Sequence, residues 1–477
     1  MTERVALIRA DGNARIGAGH LVRCAALGDA LAALGWRCVH ARAAGGFALP
    51  GGDGAREIVE LQGPPETHAA SALAACGRAP DAAIVDHYEL GDAFAAAIAP
   101  DAGRLVRIDD GPGAPLRGDI IVNPAPGIDA AGYGPVRALT GPVYALLRPA
   151  FAAARRDPRR APGAGRRVLV TLGASTPVAR IAEVAAKIAA LGSVTVEAIG
   201  GPDAADFPAP PGVELRRGWS DLAAAIARAD LVVTAGGGTV WEMCCLGVPG
   251  VVVVTAENQR RNAAALAAAG AARVAGDLDT AAPDRIARAV GDLLDDSAGY
   301  AAMAGKAWAL CDGRGAMRVA RAIDPPVDRA GAPVHLRPAT PADCDIVFGW
   351  QSDPRVRRHF RNPNPPARDE HVAWFADRLR RPDGVFYVVE SDARPAGIVR
   401  ADRRDDGWEV SILIDPARAG RGIGRTALAL LDELMPNARL RAHVLAANEA
   451  SHRMFSAAGY RPVGPESYVR EPRGAHA

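Results

Sequence analysis

A histidine stands where a glycine-rich turn opens into a helical pattern. The segment Arg9-Ala-Asp-Gly-Asn-Ala-Arg-Ile-Gly-Ala-Gly-His20-Leu-Val-Arg23 follows a short apolar run, Val5–Arg9. Gly17 and Gly19 let the backbone turn tightly and approach a ligand. The helix beyond them offers unpaired N–H groups and a positive dipole end to an anion. An imidazole at that edge of a sheet faces the cleft where a ligand would lie. Its ordinary pKa near 6.5 suits proton abstraction at neutral pH. The competing reading is a histidine that merely fills or caps the turn.

A second constellation runs Thr234-Ala-Gly-Gly237-Gly238-Thr239-Val-Trp-Glu242, from a buried strand through a glycine turn into a helix. Thr239 is expected as the N-cap, and the amides after Gly237 are expected to hold a diphosphate. Glu242, one turn further on, is placed to accept hydrogen bonds from a ribose diol. Its alternative is a surface helix residue. Glu257-Asn258-Gln259 opens another helix, and Gly173-Ala-Ser175-Thr-Pro177 forms a further loop after a strand. No metal-ligand cluster stands out. Asp109-Asp110 is followed by Gly-Pro, which suits turn capping as well as a metal, so metal-free chemistry is expected.

The elements around these residues follow one grammar. Val5–Arg9, Ala83–Asp86, Leu105–Ile108, Val168–Leu172, Val194–Ile199, Leu231–Thr234 and Val251–Thr255 read as buried parallel strands, with Ala-rich amphipathic stretches between them. A Pro-, Gly- and Arg-rich break at 155–167 divides them into two Rossmann-like halves, 1–154 and 167–323. A ligand between the halves would touch the carboxyl ends of both sheets. A second break, 324–333, precedes a different texture. Residues 334–477 read as strand, polar helix, three strands (Val385–Glu390, Ala396–Asp402, Trp408–Ile414), a glycine loop and a helix, an α+β domain. The fold class is α/β: two Rossmann-like domains, then an α+β domain.

Composition narrows the function classes. The chain has 477 residues, 56 basic and 54 acidic, with a net charge of +2, which argues against nucleic acid or a basic membrane surface as partner. Lys187 and Lys306 are the only lysines, which disfavours a Schiff-base mechanism. The cysteines at 24, 38, 76, 244, 245, 311 and 344 form no CxxC pair. Cys244 and Cys245 sit in an apolar helical pattern and read as small buried thiols. The start lacks the long apolar stretch of a signal peptide, and no run approaches a bilayer span, so a cytoplasmic protein is expected.

On these motifs the chain resembles known families. Arg9-Ala-Asp…Ile16-Gly-Ala-Gly-His20…Arg23 is similar to the opening of the UDP-sugar hydrolases of pseudaminic acid biosynthesis. Further matching stretches are Val85-Asp86-His87-Tyr88, Ile108-Asp109-Asp110, Asn123-Pro124 and Gly141-Pro-Val-Tyr-Ala-Leu-Leu-Arg148. The strand–Gly-Gly-Gly-Thr–x–x–Glu pattern with Glu-Asn-Gln downstream resembles UDP-sugar enzymes of the GT-B class. The resemblance implies His20 as general base activating water, with Asp11 and Tyr88 placing the sugar, although a packed aromatic is an equal reading for Tyr88. The UDP-sugar substrate would also be bound by Gly17, Gly19, Gly173, Ser175, Gly237, Gly238, Thr239, Glu242, Glu257, Asn258 and Gln259. Where that family suggests Gly-Gly-Ser-Asp-Pro, this chain has Gly173-Ala-Ser-Thr-Pro177.

Residues 408–428 and 447–460 resemble the two cofactor motifs of GNAT acetyltransferases. By that likeness Ile414, Arg421, Gly422, Gly424, Arg425, Thr426, Asn448 and Ser451 contact acetyl-CoA, the co-substrate, and Gly459-Tyr460 closes the later helix. Glu409 would be the base for the attacking amine, against an alternative as a solvent-facing strand residue. Two positions depart from the pattern: Ala419 replaces the usual Arg or Gln, and Phe455 replaces a thiolate-protonating tyrosine. Trp350-Gln-Ser-Asp-Pro…Glu370-His-Val-Ala-Trp374 resembles the branch acting on amino-sugar nucleotides, where Trp350 and Trp374 either stack on substrate or pack the core.

The implied function is bifunctional. Acetyl-CoA acetylates the 4-amine of a UDP-amino-sugar, and the UDP-2,4-diacetamido-2,4,6-trideoxy-L-altrose formed is hydrolysed with inversion. The alternatives are a hydrolase carrying a GNAT-like binding or regulatory module, and a GT-B glycosyltransferase with an acceptor other than water.

Overall fold

The computed structural model describes residues 3–13, 16–49, 52–88, 91–158, 161–163, 165–201, 204, 207–217, 221–381 and 383–473. The chain divides into two compact units, Met1–Ile323 and Asp324–Ala477.

The first unit holds two parallel sheets. One is built from β1 (Arg4–Ala10), β2 (Trp36–Ala43), β3 (Glu57–Leu61), β4 (Ala82–Asp86), β5 (Leu105–Ile108), β6 (Ile120–Asn123) and β7 (Arg137–Thr140), in the order β3-β2-β1-β4-β5-β6-β7. Helices α1 (Gly19–Ala32), α2 (His68–Cys76) and α3 (Gly91–Ile98) cover it, and α4 (Pro149–Ala154) follows. The other sheet comprises β8 (Arg167–Thr171), β9 (Thr195–Gly200), β10 (Val213–Arg217), β11 (Leu231–Ala235), β12 (Gly250–Val254) and β13 (Arg273–Asp277), ordered β10-β9-β8-β11-β12-β13. Its helices are α5 (Val178–Ala189), α6 (Leu222–Arg228), α7 (Thr239–Leu246), α8 (Arg260–Ala269), α9 (Pro283–Asp295) and α10 (Ser297–Leu310), and α11 (Gly315–Ile323) ends the unit.

The patterning explains these elements. Every residue of β11 and β12 is buried, as expected of strands covered on both faces, and both are rich in valine. Helix α5 buries Ile181, Val184, Ala185 and Ile188, one face at helical spacing. All seven strands read from sequence are present, each within a residue at either end. Chain order reverses between β1 and β4 in one sheet and between β8 and β11 in the other. Such switch points open a crevice at the strands' carboxyl ends.

The two halves exchange terminal helices. Val319, Ala320 and Ile323 of α11 pack into the core beneath the first sheet. Ala145, Leu147 and Phe151, from the end of the first half, pack into a core of the second. Arg155, inside the stretch read as a break, donates to the carbonyls of Cys245 (2.6 Å), Cys311 (2.6 Å) and Trp308 (2.8 Å). Packing therefore assigns 147–155 to the second half and 315–323 to the first, which the division at 154 and 167 does not anticipate.

The second unit is a mixed sheet with helices. Its elements are β14 (Val334–Pro338), α12 (Cys344–Ser352), α13 (Pro354–Arg357), α14 (Arg368–Arg380), β15 (Gly384–Ser391), β16 (Arg394–Arg404), β17 (Gly407–Ile414), α15 (Ile423–Leu434), β18 (Leu440–His443), α16 (Glu449–Ala457), β19 (Arg461–Gly464) and β20 (Ser467–Arg470). Strand order is β14-β15-β16-β17-β18-β20-β19, antiparallel except where β17 meets β18. Residues 324–333, read as a linker, form an ordered turn: Asp328 N donates to Ala332 O at 2.8 Å and Val327 bridges Pro333. Trp350 is buried and Trp374 packs on Phe375 and Phe386, so both belong to the core between α12, α14 and the sheet. Among the described residues no helix is long and apolar enough to cross a membrane, and no group of side chains could hold a metal ion.

Candidate functional site

The two switch points of the first unit face one cavity of about 250 Å³. The loop after β1 brings Gly17, Gly19 and His20, and the loop after β4 brings Tyr88. The loop after β8 brings Gly173 and Ser175, and the turn after β11 brings Gly237, Gly238, Thr239 and Glu242, with Asn258 and Gln259 beside them.

His20 is 3% exposed, and its Nδ1 lies 2.7 Å from Oδ1 of Asp86, the last residue of β4. Burial works to raise the Asp86 carboxyl, but Arg23 and then His20 outweigh it and hold it well below the usual carboxylate range. An ionised carboxylate only accepts, so the contact runs through a proton on Nδ1, and Arg23 Nη2 lies 3.2 Å from the same nitrogen. Arg23 grips Asp86 through Nε and Nη2, both at 2.6 Å, and reaches Asp110 at 2.7 and 2.9 Å. Burial likewise opposes ionisation of Asp110, and Arg23 more than offsets it. Tyr88 stands edge-on to the His20 ring, with centroids 4.4 Å apart. Its hydroxyl donates to Asp110 at 2.8 Å and accepts from Asn258 at 2.9 Å, tying the two halves together across the cavity. Asp86, Arg23 and Asp110 lie in stretches quoted for the family resemblance but were not among the expected site residues.

Three expectations are corrected. Asp11 does not line the cavity. It is buried against Arg9 at 2.8 Å, His87 at 3.1 Å and the amide of Ala43 at 2.7 Å, which makes it a brace for the first strand ends. Glu257 is exposed and paired with Arg260 at 2.6 Å, outside the lining. Thr239 is the first residue of α7, not its cap; Gly238 takes the cap position, and the Thr239 hydroxyl bonds Glu242 instead.

The cavity wall from the second half is built by close backbone approach. A Cβ on Gly236 would come within 2.9 Å of Gln259 Cβ, so only glycine fits there. Gln259 Oε1 in turn accepts from the amides of Gly236 (3.1 Å) and Thr255 (3.0 Å), joining the β11 and β12 loops. Glu242 is buried, and burial raises its pKa, partly countered by Arg148 and by the Thr239 hydroxyl. Arg148 Nη2 lies 4.0 Å from Glu242 and lines the same cavity. It is a cation on this wall of the cavity that sequence reading quoted without a role. The thiol of Cys244 is pushed well up by burial, consistent with packing and not chemistry.

In the second unit, strands β17 and β18 pair only through Trp408–Leu440 and Glu409–Arg441 and then diverge, leaving Val410–Ile414 unpaired on that side. The gap ends at the turn where Gly422 caps α15. An open strand edge leading to a helix start fits an extended pantetheine arm followed by a diphosphate, so these residues fit acetyl-CoA. Gly424 is buried against Met454, whose sulfur leaves no room for a Cβ there. Thr426 returns its hydroxyl to Gly422 O at 3.3 Å, Arg425 is exposed, and Asn448 caps α16 by accepting from Ser451 N at 3.1 Å. Gly459 closes α16, with Tyr460 N on Phe455 O at 3.0 Å. Arg421 is drawn to Asp328 at 2.8 Å. Glu409 is half-exposed and paired with Arg404 at 3.0 Å. Phe455 is buried between Tyr460 and Tyr468.

Comparison with known proteins agrees with this geometry. Residues 334–461 match the family described as acetyltransferase (GNAT) domain, and residues 218–319 match glycosyltransferase family 28 C-terminal domain. The chain is 36% identical over 204 residues to a UDP-N-acetylglucosamine–N-acetylmuramyl-(pentapeptide) pyrophosphoryl-undecaprenol N-acetylglucosamine transferase of Clavibacter michiganensis subsp. michiganensis, covering 40% of this chain and 53% of that one. It is 38% identical over 109 residues to the mycothiol acetyltransferase of the same organism, covering 21% of this chain and 35% of that one. The chain thus spans about half or less of the curated relatives it matches. The solved structure of spinosyn rhamnosyltransferase, 18% identical, superposes with a TM-score of 0.50 over 67% of this chain and all of that one, a likeness of fold. A GT-B-like unit is therefore fused to a GNAT acetyltransferase domain, which implies use of acetyl-CoA.

Proposed function

We propose that the chain carries two successive activities on one sugar nucleotide. The GNAT domain acetylates the 4-amine of a UDP-amino-sugar. The GT-B-like unit then hydrolyses the UDP-2,4-diacetamido-2,4,6-trideoxy-L-altrose formed, as in pseudaminic acid biosynthesis, to free sugar and UDP. The observation that carries the hydrolytic half is the buried His20–Asp86 contact of 2.7 Å on a cavity whose far wall is the glycine turn of Gly236–Gly238.

His20 Nε2 takes a proton from water while Asp86 holds the ring and its charge. The water oxygen attacks the anomeric carbon, the bond from that carbon to the diphosphate oxygen breaks, and the configuration inverts. UDP departs with its charge held by the amides after Gly237, the positive end of α7 and Arg148. Glu242 accepts from the ribose diol. Tyr88 and Asn258 position the sugar from opposite walls.

Bound acetyl-CoA would supply an acyl thioester to the second unit. Glu409 is the base proposed to take the amine proton, with Arg404 beside it. The open edge of Val410–Ile414 would align the cofactor arm.

A second reading has a specific observation behind it: residues 218–319 match a glycosyltransferase family, so an acceptor hydroxyl could replace water. Proton NMR of purified protein with acetyl-CoA and the UDP-4-amino-sugar separates the two. Formation of the N-acetylated nucleotide and then free sugar, without added acceptor, supports hydrolysis. A nucleotide that persists until an acceptor is supplied would establish the transferase and remove the hydrolase. His20→Ala should accumulate the acetylated nucleotide.

A further inference from the structure

The cofactor turn of the GNAT domain lacks the side chain expected to meet a diphosphate, because position 419 is alanine. The two arginines beside it are committed elsewhere. Arg418 donates to Ser391 O at 2.8 Å, and Arg421 pairs with the buried carboxylate of Asp328 at 2.8 Å. Asp328 also accepts from the amides of Ala330 (2.8 Å) and Ala332 (3.0 Å) and from the Ser391 hydroxyl (3.2 Å), so it is a fixed anchor.

The next residue brings a cation to the turn from outside the matched domain. Arg329 N donates to Arg421 O at 2.8 Å, and its guanidinium donates from Nη1 to Gly420 O at 3.0 Å. Its stem lies along Gly422, where a Cβ would come within 3.2 Å of Arg329 Cγ. Gly420 and Gly422 both have φ of +82°, a conformation that keeps the turn open to the amides that begin α15. Arg329 is exposed, and a guanidinium offers five N–H groups in a fork that matches phosphate oxygens.

We propose that Arg329 is a cofactor-binding residue that contacts the diphosphate of acetyl-CoA, replacing the side chain absent at Ala419. Asp328 is its positioning residue: it holds Arg421, and with it the turn, in register with Arg329. The family match begins at residue 334, so both lie in a segment that composition marks as linker. The inference rests on the acetyl-CoA reading of this domain.

Calorimetry on the full chain with CoA and with 3′-dephospho-CoA tests it. Arg329→Met, which keeps the packing stem and removes the charge, should weaken both ligands about tenfold, and Arg329→Lys should restore part of the loss. Asp328→Asn should weaken both as well. Affinity for CoA within twofold of wild type in Arg329→Met overturns the proposal. So does a loss that disappears with 3′-dephospho-CoA, which would move the contact to the 3′-phosphate, or an equal loss in the Met and Lys variants, which would make the role structural. A wild type that binds no CoA overturns the cofactor reading itself, a result distinct from all of these.

Discussion

His20 and Asp86, 66 residues apart, meet at 2.7 Å because β1 and β4 are neighbours at the switch point of the first sheet. The turn after β1 carries the imidazole, and the end of β4 carries the carboxylate that holds the ring. Arg23 binds the same carboxylate from the next turn of α1, so imidazole, carboxylate and guanidinium form one assembly.

On the proposed hydrolysis, removing this carboxylate should cost most of the turnover without emptying the site. Asp86→Asn is expected to lower kcat for sugar release by about a hundredfold or more, with UDP affinity within a few-fold of wild type. His20→Ala should lower it further. Asp86 is also held below the usual carboxylate range, so its contribution to stability is present above about pH 4 and lost as pH falls through its folded pKa. Asp86→Asn should correspondingly flatten the acid limb of melting temperature against pH. Unchanged turnover in this variant would remove Asp86 from the mechanism.

Tyr88 and Asn258 make a hydrogen bond across the cavity. Tyr88→Phe deletes a donor to Asp110 and an acceptor for Asn258 while keeping the edge contact with His20. A loss of about ten- to a hundredfold in kcat/KM is expected, with little change in UDP binding. Steady-state kinetics beside UDP calorimetry separates the two effects.

Glu242 runs the other way with pH. Burial raises its pKa, so the native state holds this proton more tightly than the unfolded chain does. Its ionisation costs stability as pH rises from about 4.5 through the folded value. Glu242→Gln should leave the melting temperature at pH 7 unchanged or higher, while weakening UDP by about tenfold through loss of the charged acceptor. A clear fall in stability at pH 7 would show that Arg148, 4.0 Å away, already compensates the charge.

What was legible in sequence were features that repeat within one element. The valine runs of β11 and β12, the glycine turns before α1, α7 and α15, and the closing Gly459-Tyr460 each follow from local chemistry. Strand β2 was harder to see, because Arg37, His40 and Arg42 interrupt its apolar run, and β3 lies at the sheet edge with Glu57 and Glu60. The site's second tier was not legible for a different reason. Asp86 meets His20 only because β4 lies beside β1, and Arg148 reaches the cavity only because the first half ends in the second half's core. Asp11 and Glu257 sit in suggestive motifs, but Arg9 and Arg260 claim their charges. The turn at 324–333 has a linker's composition, and only Asp328's partners show that it is folded.

The hairpin between β15 and β16 offers a test of stability independent of any ligand. Its turn residues Asp392 and Ala393 have φ of 56° and 53°, the left-handed region that a two-residue hairpin of this hand requires. Aspartate tolerates that conformation through its short polar side chain, whereas alanine pays a steric penalty between Cβ and the following carbonyl. Ala393→Gly removes the clash but adds freedom to the unfolded chain, and the first effect is larger where φ is positive. The substitution should stabilise the second unit by about 0.5–1 kcal/mol, read as a higher denaturant midpoint at an unchanged slope. A lower midpoint would mean that the turn relaxes to negative φ at Ala393, and that the register from Ser391–Arg394 onward is held by the strands alone.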